Sequence, residues 1–294
     1  MYVVMGATGN IGKVITEILL SKGKSVKAIS RDRDRLKPLV EKGAIPCVGQ
    51  SEDRDFLMNV FQGATAAYTM IHPILHADNL REYQNMISEN IANAIENSEI
   101  KYVVNLSSLG AHLSEGTGIL LGSHDHEQRL NKIDDVNIIH LRPAYFMENF
   151  LGSIGRIIRE GIFGSSLRGD ISMPLVATRD IAKVASQFLL DLNFSGKAAF
   201  DLLGERNLTM IEVTQILGKA IGKPDLSYSQ FPYDQVKDSM VNRSISLSVA
   251  EASIELSKKV NENPDIFDSE RTLEKTTETS IEEFAETFLA AYER

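Results

Sequence analysis

At 294 residues, 43% hydrophobic and 24% charged, the chain can bury a sizeable core as one large α/β domain or two lobes, with the composition of an ordinary globular protein. A formal net charge of −9 with acidic and basic residues interspersed argues against a nucleic-acid surface. No apolar run approaches the roughly 18 residues needed to span a bilayer. The single cysteine, Cys47, excludes an intrachain disulfide, and a first strand beginning at Tyr2 leaves no room ahead of it for a signal peptide, so a cytoplasmic location is expected.

Tyr2–Met5 is a short apolar run ending in glycine, after which Ile11, Val14, Ile15, Ile18 and Leu19 recur at helical spacing until Gly23. Val26–Ile29 and Ile45–Val48 read as the second and third strands, with a helix between them and another over Asp53–Phe61. Ala64–Thr69 follows as a fourth strand, Asp78–Asn97 as a long amphipathic helix and Tyr102–Leu106 as a fifth strand. Ser123–Lys132 reads as a helix and Val136–Leu141 as the sixth strand. Strict alternation of strand and helix implies a doubly wound parallel Rossmann sheet. Beyond Arg142-Pro143 the pattern loosens. A helix is expected from Phe146 to about Glu160, then a segment broken by Gly161, Gly164 and Gly169, then a helix from near Arg179. Ala198–Leu203 reads as a strand able to return to the first sheet, Thr209–Ile221 as a helix, and Thr279-Ser280-Ile281-Glu282 as the capping box of the last helix. The expected organisation is a dinucleotide-binding domain over 1–145 and a smaller, mostly helical substrate lobe over 146–294, interleaved through the 198–203 strand.

The loop Gly6-Ala7-Thr8-Gly9-Asn10-Ile11-Gly12 sits where a phosphate-binding turn belongs, between an apolar strand and an amphipathic helix. Gly6 permits the sharp turn, Gly9 lets backbone approach a pyrophosphate, and Gly12 lets helix and strand pack closely. The helix N-terminus offers free N–H groups to the anion. Ser30-Arg31, with Arg33 and Arg35 beyond, stands at the end of the second strand where NAD binders usually carry a carboxylate for the ribose 2′-hydroxyl. A guanidinium there pairs bidentately with a 2′-phosphate, so NADP(H) is the expected cofactor, held by Ser30, Arg31 and Arg35. Asp32 and Asp34 in the same turn keep NAD(H) open as the alternative. Thr69 and Met70 end the fourth strand at the edge where Rossmann ligands lie and join the expected cofactor contacts.

The Gly6–Gly12 loop, Ser30-Arg31, Asn105-Leu106-Ser107-Ser108, the run Leu141 to Asn149, Arg179-Asp180-Ile181-Ala182 and Thr279–Phe284 together resemble the NmrA-like branch of atypical short-chain dehydrogenases over nearly the whole chain. That resemblance implies a Rossmann fold and an NADP(H) site that also includes Ser107, Pro143 and Phe146. The family holds NADPH-dependent quinone reductases, isoflavone-reductase-like enzymes and redox-sensing regulators that bind cofactor without turning it over. Short-chain dehydrogenases that reduce carbonyls use a Tyr-x-x-x-Lys pair. If Glu127 matches the glutamate four residues past that lysine, the pair falls here on Ile119 and Ser123, and no tyrosine lies between Tyr102 and Tyr145. Ordinary alcohol or sugar chemistry is therefore not expected. The remaining catalytic candidates are Ser108, Tyr145 and His124, which stands next to the vacant lysine position and either reaches ribose or substrate or is a solvated helix residue.

No metal is expected. His124 and His126 are two apart on a helix and face opposite ways, and Pro73 disrupts the i, i+4 pair His72 and His76. Phe146, aided by Phe163, Phe231 and Tyr233, is expected to form an apolar wall for a flat aromatic substrate. Two functions compete on these grounds: an NADPH-dependent reductase of quinones or similar electrophiles, and a non-catalytic NADP(H) sensor acting on a partner protein. No helix-turn-helix or basic stripe points to direct contact with nucleic acid.

Overall fold

The computed structural model describes residues 1–294. The first half alternates as β1 (Tyr2–Val4), α1 (Asn10–Ser21), β2 (Val26–Ser30), α2 (Arg33–Glu41), β3 (Ile45–Val48), α3 (Arg54–Phe61), β4 (Ala66–Met70), α4 (Leu80–Glu96), β5 (Tyr102–Leu106), α5 (Leu121–Leu130) and β6 (Asn137–Pro143). The chain continues through β7 (Tyr145–Phe146), α6 (Ile154–Glu160), β8 (Phe163–Ser165), β9 (Ser172–Val176), α7 (Thr178–Asp191) and β10 (Lys197–Leu202). It ends with β11 (Asn207–Thr209), α8 (Met210–Ala220), β12 (Tyr228–Gln230), α9 (Tyr233–Val241), α10 (Leu247–Glu262) and α11 (Ile281–Tyr292).

Seven parallel strands form the main sheet in the order β10-β6-β5-β4-β1-β2-β3. Alternate strand residues feed opposite faces, as the two-residue period requires. Tyr2, Val4, Ala28, Tyr68 and Val104 pack under α1, α2 and α7, while Val3, Met5, Ile29, Ala67 and Val103 pack under α3 and α4. Both faces are covered, which is why these strands read as unbroken apolar runs. A third core, built on Phe150, Phe163, Leu175, Leu217 and Phe284, belongs to the C-terminal lobe, with its small sheet β11-β9-β7 and the pair β12-β8. The lobes are threaded together. Residues of β10 pair with β6 at the edge of the main sheet, from Lys197 opposite Ile138 to Leu202 opposite Pro143. The start of α10 is fastened to the loop after β4, with Ser246 Oγ donating to the Ala77 carbonyl (2.6 Å) and the Leu80 N–H donating to Ser248 Oγ (3.0 Å). No helix is long and apolar enough to cross a membrane.

Two local expectations are corrected. The stretch 146–160 is not one helix. Tyr145–Phe146 pairs in parallel with Leu175–Val176, and a 3-10 segment, Met147–Ser153, delays α6 to Ile154, because backbone pairing with β9 satisfies the groups that a helix would otherwise use. The last helix is capped by Ser280, whose side chain accepts from the Glu283 N–H. Thr279 is diverted: its N–H goes to Asp180 Oδ2 (2.9 Å) and its Oγ1 accepts from Arg179 Nε (2.8 Å). The reciprocal capping box lies instead at Thr209 and Glu212 of α8.

Candidate functional site

The turn from β1 into α1 closes when the Gly9 N–H donates to the Gly6 carbonyl (2.9 Å). Gly6 has φ +59, and a Cβ there would lie 2.8 Å from Met70 Sδ. A Cβ on Gly12 would sit 2.3 Å from the Gly6 carbonyl, so helix and turn touch only because both positions lack side chains. Gly9 caps α1 with no side-chain hydrogen bond. The first-turn N–H groups thus face a cleft without an internal acceptor, the arrangement that takes a pyrophosphate.

At the end of β2 the charges sort themselves. Asp32 caps α2, its Oδ1 accepting from the N–H groups of Asp34 (2.8 Å) and Arg35 (3.2 Å). Arg35 reaches back to the Thr8 carbonyl (2.8 Å), and Thr8 Oγ1 meets Ser30 Oγ at 3.0 Å. Arg31 lines the cleft. Beside it, Tyr83 donates to Glu52 and accepts from His72 Nε2 (2.9 Å). Burial by itself would raise the Glu52 carboxyl, but the Tyr83 hydroxyl, the backbone N–H of Glu52 itself and the fields of His72 and Arg31 outweigh it and hold the carboxyl below its usual value.

The wall opposite is made by β5, α5 and β6. Glu127, buried, receives Arg142 Nε at 2.9 Å and the Ser107 hydroxyl. Burial pushes its carboxyl up, yet the hydrogen bonds from Arg142 and Ser107 bring it below the ordinary range. Ser107 therefore spends its proton on Glu127, and Ser108 spends its own on the Leu109 carbonyl (3.1 Å). On the same wall His126 is 1% exposed; its Nδ1 lies 2.7 Å from Ser88 Oγ and its Nε2 has no partner. Burial first, then the fields of His140 and Arg129, push its imidazole down to about 3, so the ring is neutral at pH 7.

These walls enclose a cleft of about 820 Å³. Of the residues expected at the cofactor, Gly6, Thr8, Gly9, Asn10, Ile11, Gly12, Ser30, Arg31, Arg35, Met70, Ser107 and Phe146 line it, as does Ser108. Four expected residues do not line it. Thr69 is fully buried beneath the floor, donating to Asn105 Oδ1 (3.3 Å). Pro143 is buried with its carbonyl taken by the Leu109 N–H. His124 turns away to the Ala111 carbonyl (2.9 Å). Tyr145 stacks on Phe150 outside the cleft, and desolvation of its hydroxyl, with the nearby Tyr228, pushes its phenol up to about 12, which makes it a poor acid. Phe163, Phe231 and Tyr233 build no cleft wall either: Phe163 packs against Phe150, Phe231 lies under Arg156, and the Tyr233 hydroxyl accepts from Asn261. The apolar surface comes instead from Met70, Ile71, Leu106 and Phe146. Ser123 and His126, three apart on α5, line the cleft, as do Glu148 and Thr178; Glu148 accepts from the Thr178 N–H (3.0 Å) and hydroxyl (2.6 Å). The Ser123–His126 spacing was visible in the sequence, but the facing of α5 was not. No three His, Cys, Asp or Glu side chains gather as a metal-binding group.

Comparison with known proteins agrees with this architecture. The NAD(P)H azoreductase of Xenophilus azovorans is 25% identical over 256 residues, 87% of this chain and 86% of its own. An NADPH-dependent quinone oxidoreductase of Escherichia coli, solved with NADPH, matches with a TM-score of 0.81 at 20% identity, covering 98% of this chain and 99% of that one. The Citrobacter sp. triphenylmethane reductase complexed with NADP(H) matches with a TM-score of 0.78 at 19% identity, covering 98% and 100%. At such identities the two solved structures speak for the fold. The sequence model of the NmrA-like family matches residues 2–288, and the chain belongs to that family.

Proposed function

We propose that this protein is an NADPH-dependent reductase that delivers hydride to flat, electrophilic aromatic acceptors such as quinones. The observation that carries the reading is one continuous cleft lined by the Gly6–Gly12 turn and Arg31 together with the apolar side chains of Met70, Ile71, Leu106 and Phe146. NADPH, when bound, supplies the hydride. The turn and the head of α1 hold the pyrophosphate, Arg31 pairs with the 2′-phosphate, and the apolar end orients a planar acceptor and excludes water. Neither Ser107 nor Ser108 has a free proton for a substrate oxygen, and Tyr145 stands outside. A ketone would have none of these three as the acid that typically contributes about 10²–10⁴-fold. A quinone carries its own driving force, and its reduced oxygen takes a proton from solvent. The relatives named for quinones, azo compounds and triphenylmethane dyes support the same acceptor class. The one half-buried thiol and the ionic surface suit a cytoplasmic setting. The test is NADPH oxidation followed at 340 nm against quinones, azo dyes and simple ketones. Turnover of the aromatic acceptors alone is expected. Tight NADPH binding with no turnover would make the protein a cofactor sensor acting on a partner, and efficient ketone reduction would mean that an acid has been overlooked.

A further inference from the structure

The two edges of the main sheet are finished differently. At one, β3 turns Ile45, Cys47 and Gly49 to β2, since the Gly49 N–H donates to the Ser30 carbonyl (3.1 Å). Pro46 therefore stands at an outward position with no N–H to offer, a common way of closing an edge to further pairing. At the other, β10 turns its even-numbered residues to β6: the carbonyls of Gly196 and Leu202 accept from the N–H groups of Ile138 (2.8 Å) and Ala144 (2.8 Å). Lys197, Ala199 and Asp201 then direct their backbone N–H and C=O groups outward, where no strand of the chain meets them. The next outward N–H, on Leu203, is covered by the Lys275 carbonyl (2.9 Å). The open edge is thus Lys197–Asp201, with Ala198 and Ala199 exposed, and none of these residues lines the cleft.

This short edge is complementary to itself. A two-fold axis sets two copies of one strand antiparallel, and outward residues then pair with outward residues. Centred on Ala199, the axis places each Lys197 opposite Asp201 of the second copy, and this register alone engages all three outward residues of both strands. Both charged groups have capacity to spare: Lys197 Nζ donates to the Val136 carbonyl and keeps two further donors, and Asp201 Oδ2 accepts from Ser269 Oγ (2.7 Å) while Oδ1 stays open. On the other face the small Ala198 stands opposite Phe200, whose ring is held edge-on by Phe188 at 5.5 Å between centroids. We infer that the β10 edge binds a second copy of this chain, antiparallel and centred on Ala199, joining two seven-stranded sheets into one. A seam of five residues is shorter than those of permanent complexes, so the dimer forms as concentration rises.

The test is sedimentation velocity of the full chain over a wide range of concentration, with hydrogen exchange read at the Ala199 amide. A monomer–dimer equilibrium is expected, with that amide gaining protection as the dimer fills. Lys197→Glu and Asp201→Lys each set like charges opposite one another twice, and each is expected to weaken the dimer roughly tenfold or more. An equimolar mixture of the two variants restores both opposite-charge pairs and is expected to recover a mixed dimer of wild-type strength. Ala199→Pro removes an N–H that has no partner in the monomer, and it is expected to abolish the dimer while the circular dichroism of the folded chain is unchanged. A wild type that stays monomeric at every concentration would overturn the inference. So would a dimer insensitive to the charge reversals, or a mixture of the two folded variants that fails to associate.

Discussion

Among the residues of the β2–α2 turn, Arg31 and Arg35 are the cations that line the cleft. Asp32 caps α2 through Oδ1 and Arg35 is tied to the Thr8 carbonyl, and both line the cleft together with Arg31. Arg31→Ala is expected to cut the preference for NADPH over NADH roughly tenfold or more, read by titration of both cofactors. An unchanged ratio would assign the 2′-phosphate to another residue. Arg142 offers a second test. It and Glu127 form an ion pair whose carboxylate is only 2% exposed, and Arg142→Met would leave that carboxylate buried with only the Ser107 hydroxyl. A loss of about 3–5 kcal/mol in urea unfolding is expected, because a stranded buried charge costs more than the pair itself contributes. A loss below about 1 kcal/mol would show that water reaches Glu127 once the guanidinium is gone.

The elements differ in how far local sequence governs them. Strands β1 to β6 and helices α1 to α5 fall within a few residues of their expected places, because each carries an apolar period matched to its own geometry and a turn signal at its end. The segment after β6 does not, because β7 exists only where β9 lies beside it. Docking of α10 is likewise a tertiary matter. Gly118, at φ +47 in the turn before α5, brings its Cα so near α10 that a Cβ would sit 2.0 Å from the Ala252 carbonyl. Gly118→Ala is expected to cost at least about 1–3 kcal/mol from the left-handed backbone, with further loss as α10 is pushed off. The urea midpoint should fall and α10 should become a site of proteolysis. Gly152→Ala, where a Cβ meets nothing within 4 Å, is the matched control.

Across the whole molecule, His126 and His140, buried in the neutral form, lower stability in acid, and His72, also held down by burial, adds in the same direction. Burial pushes His126 down to about 3 and His140 to about 4, the latter despite the opposing field of Glu127. Unfolded, each regains a pKa near 6.5. Below pH 6.5 the unfolded chain therefore binds two protons that the folded chain refuses, and stability present above that pH is lost on acidification. The slope is about 1.4 kcal/mol per pH unit for each histidine, down to about pH 4 for His140 and about pH 3 for His126. Glu127 and Asp180, held low in the fold, add losses in the same direction only nearer their unfolded values of about 4. Urea titrations between pH 7.5 and 4.5 should show the decline beginning near 6.5. A flat profile down to pH 5 would mean that water hydrates both rings.

The sequence alone determined the doubly wound sheet, its glycine turn and the family, because glycine positions and apolar periods are local properties that survive any arrangement of the rest. It also carried the argument against a carbonyl-reducing Tyr/Lys pair, through the residue types at Ile119 and Ser123. Which side chains reach the cleft was decided only by the tertiary structure. Helix α5 carries His124 and His126 two residues apart, and its rotation against α4, fixed by Ser88, Arg129 and the buried Glu127–Arg142 pair, sends the first to a backbone carbonyl and turns the second to the cleft wall. That rotation depends on contacts between residues about 40 positions apart in the chain, which no window of the sequence contains.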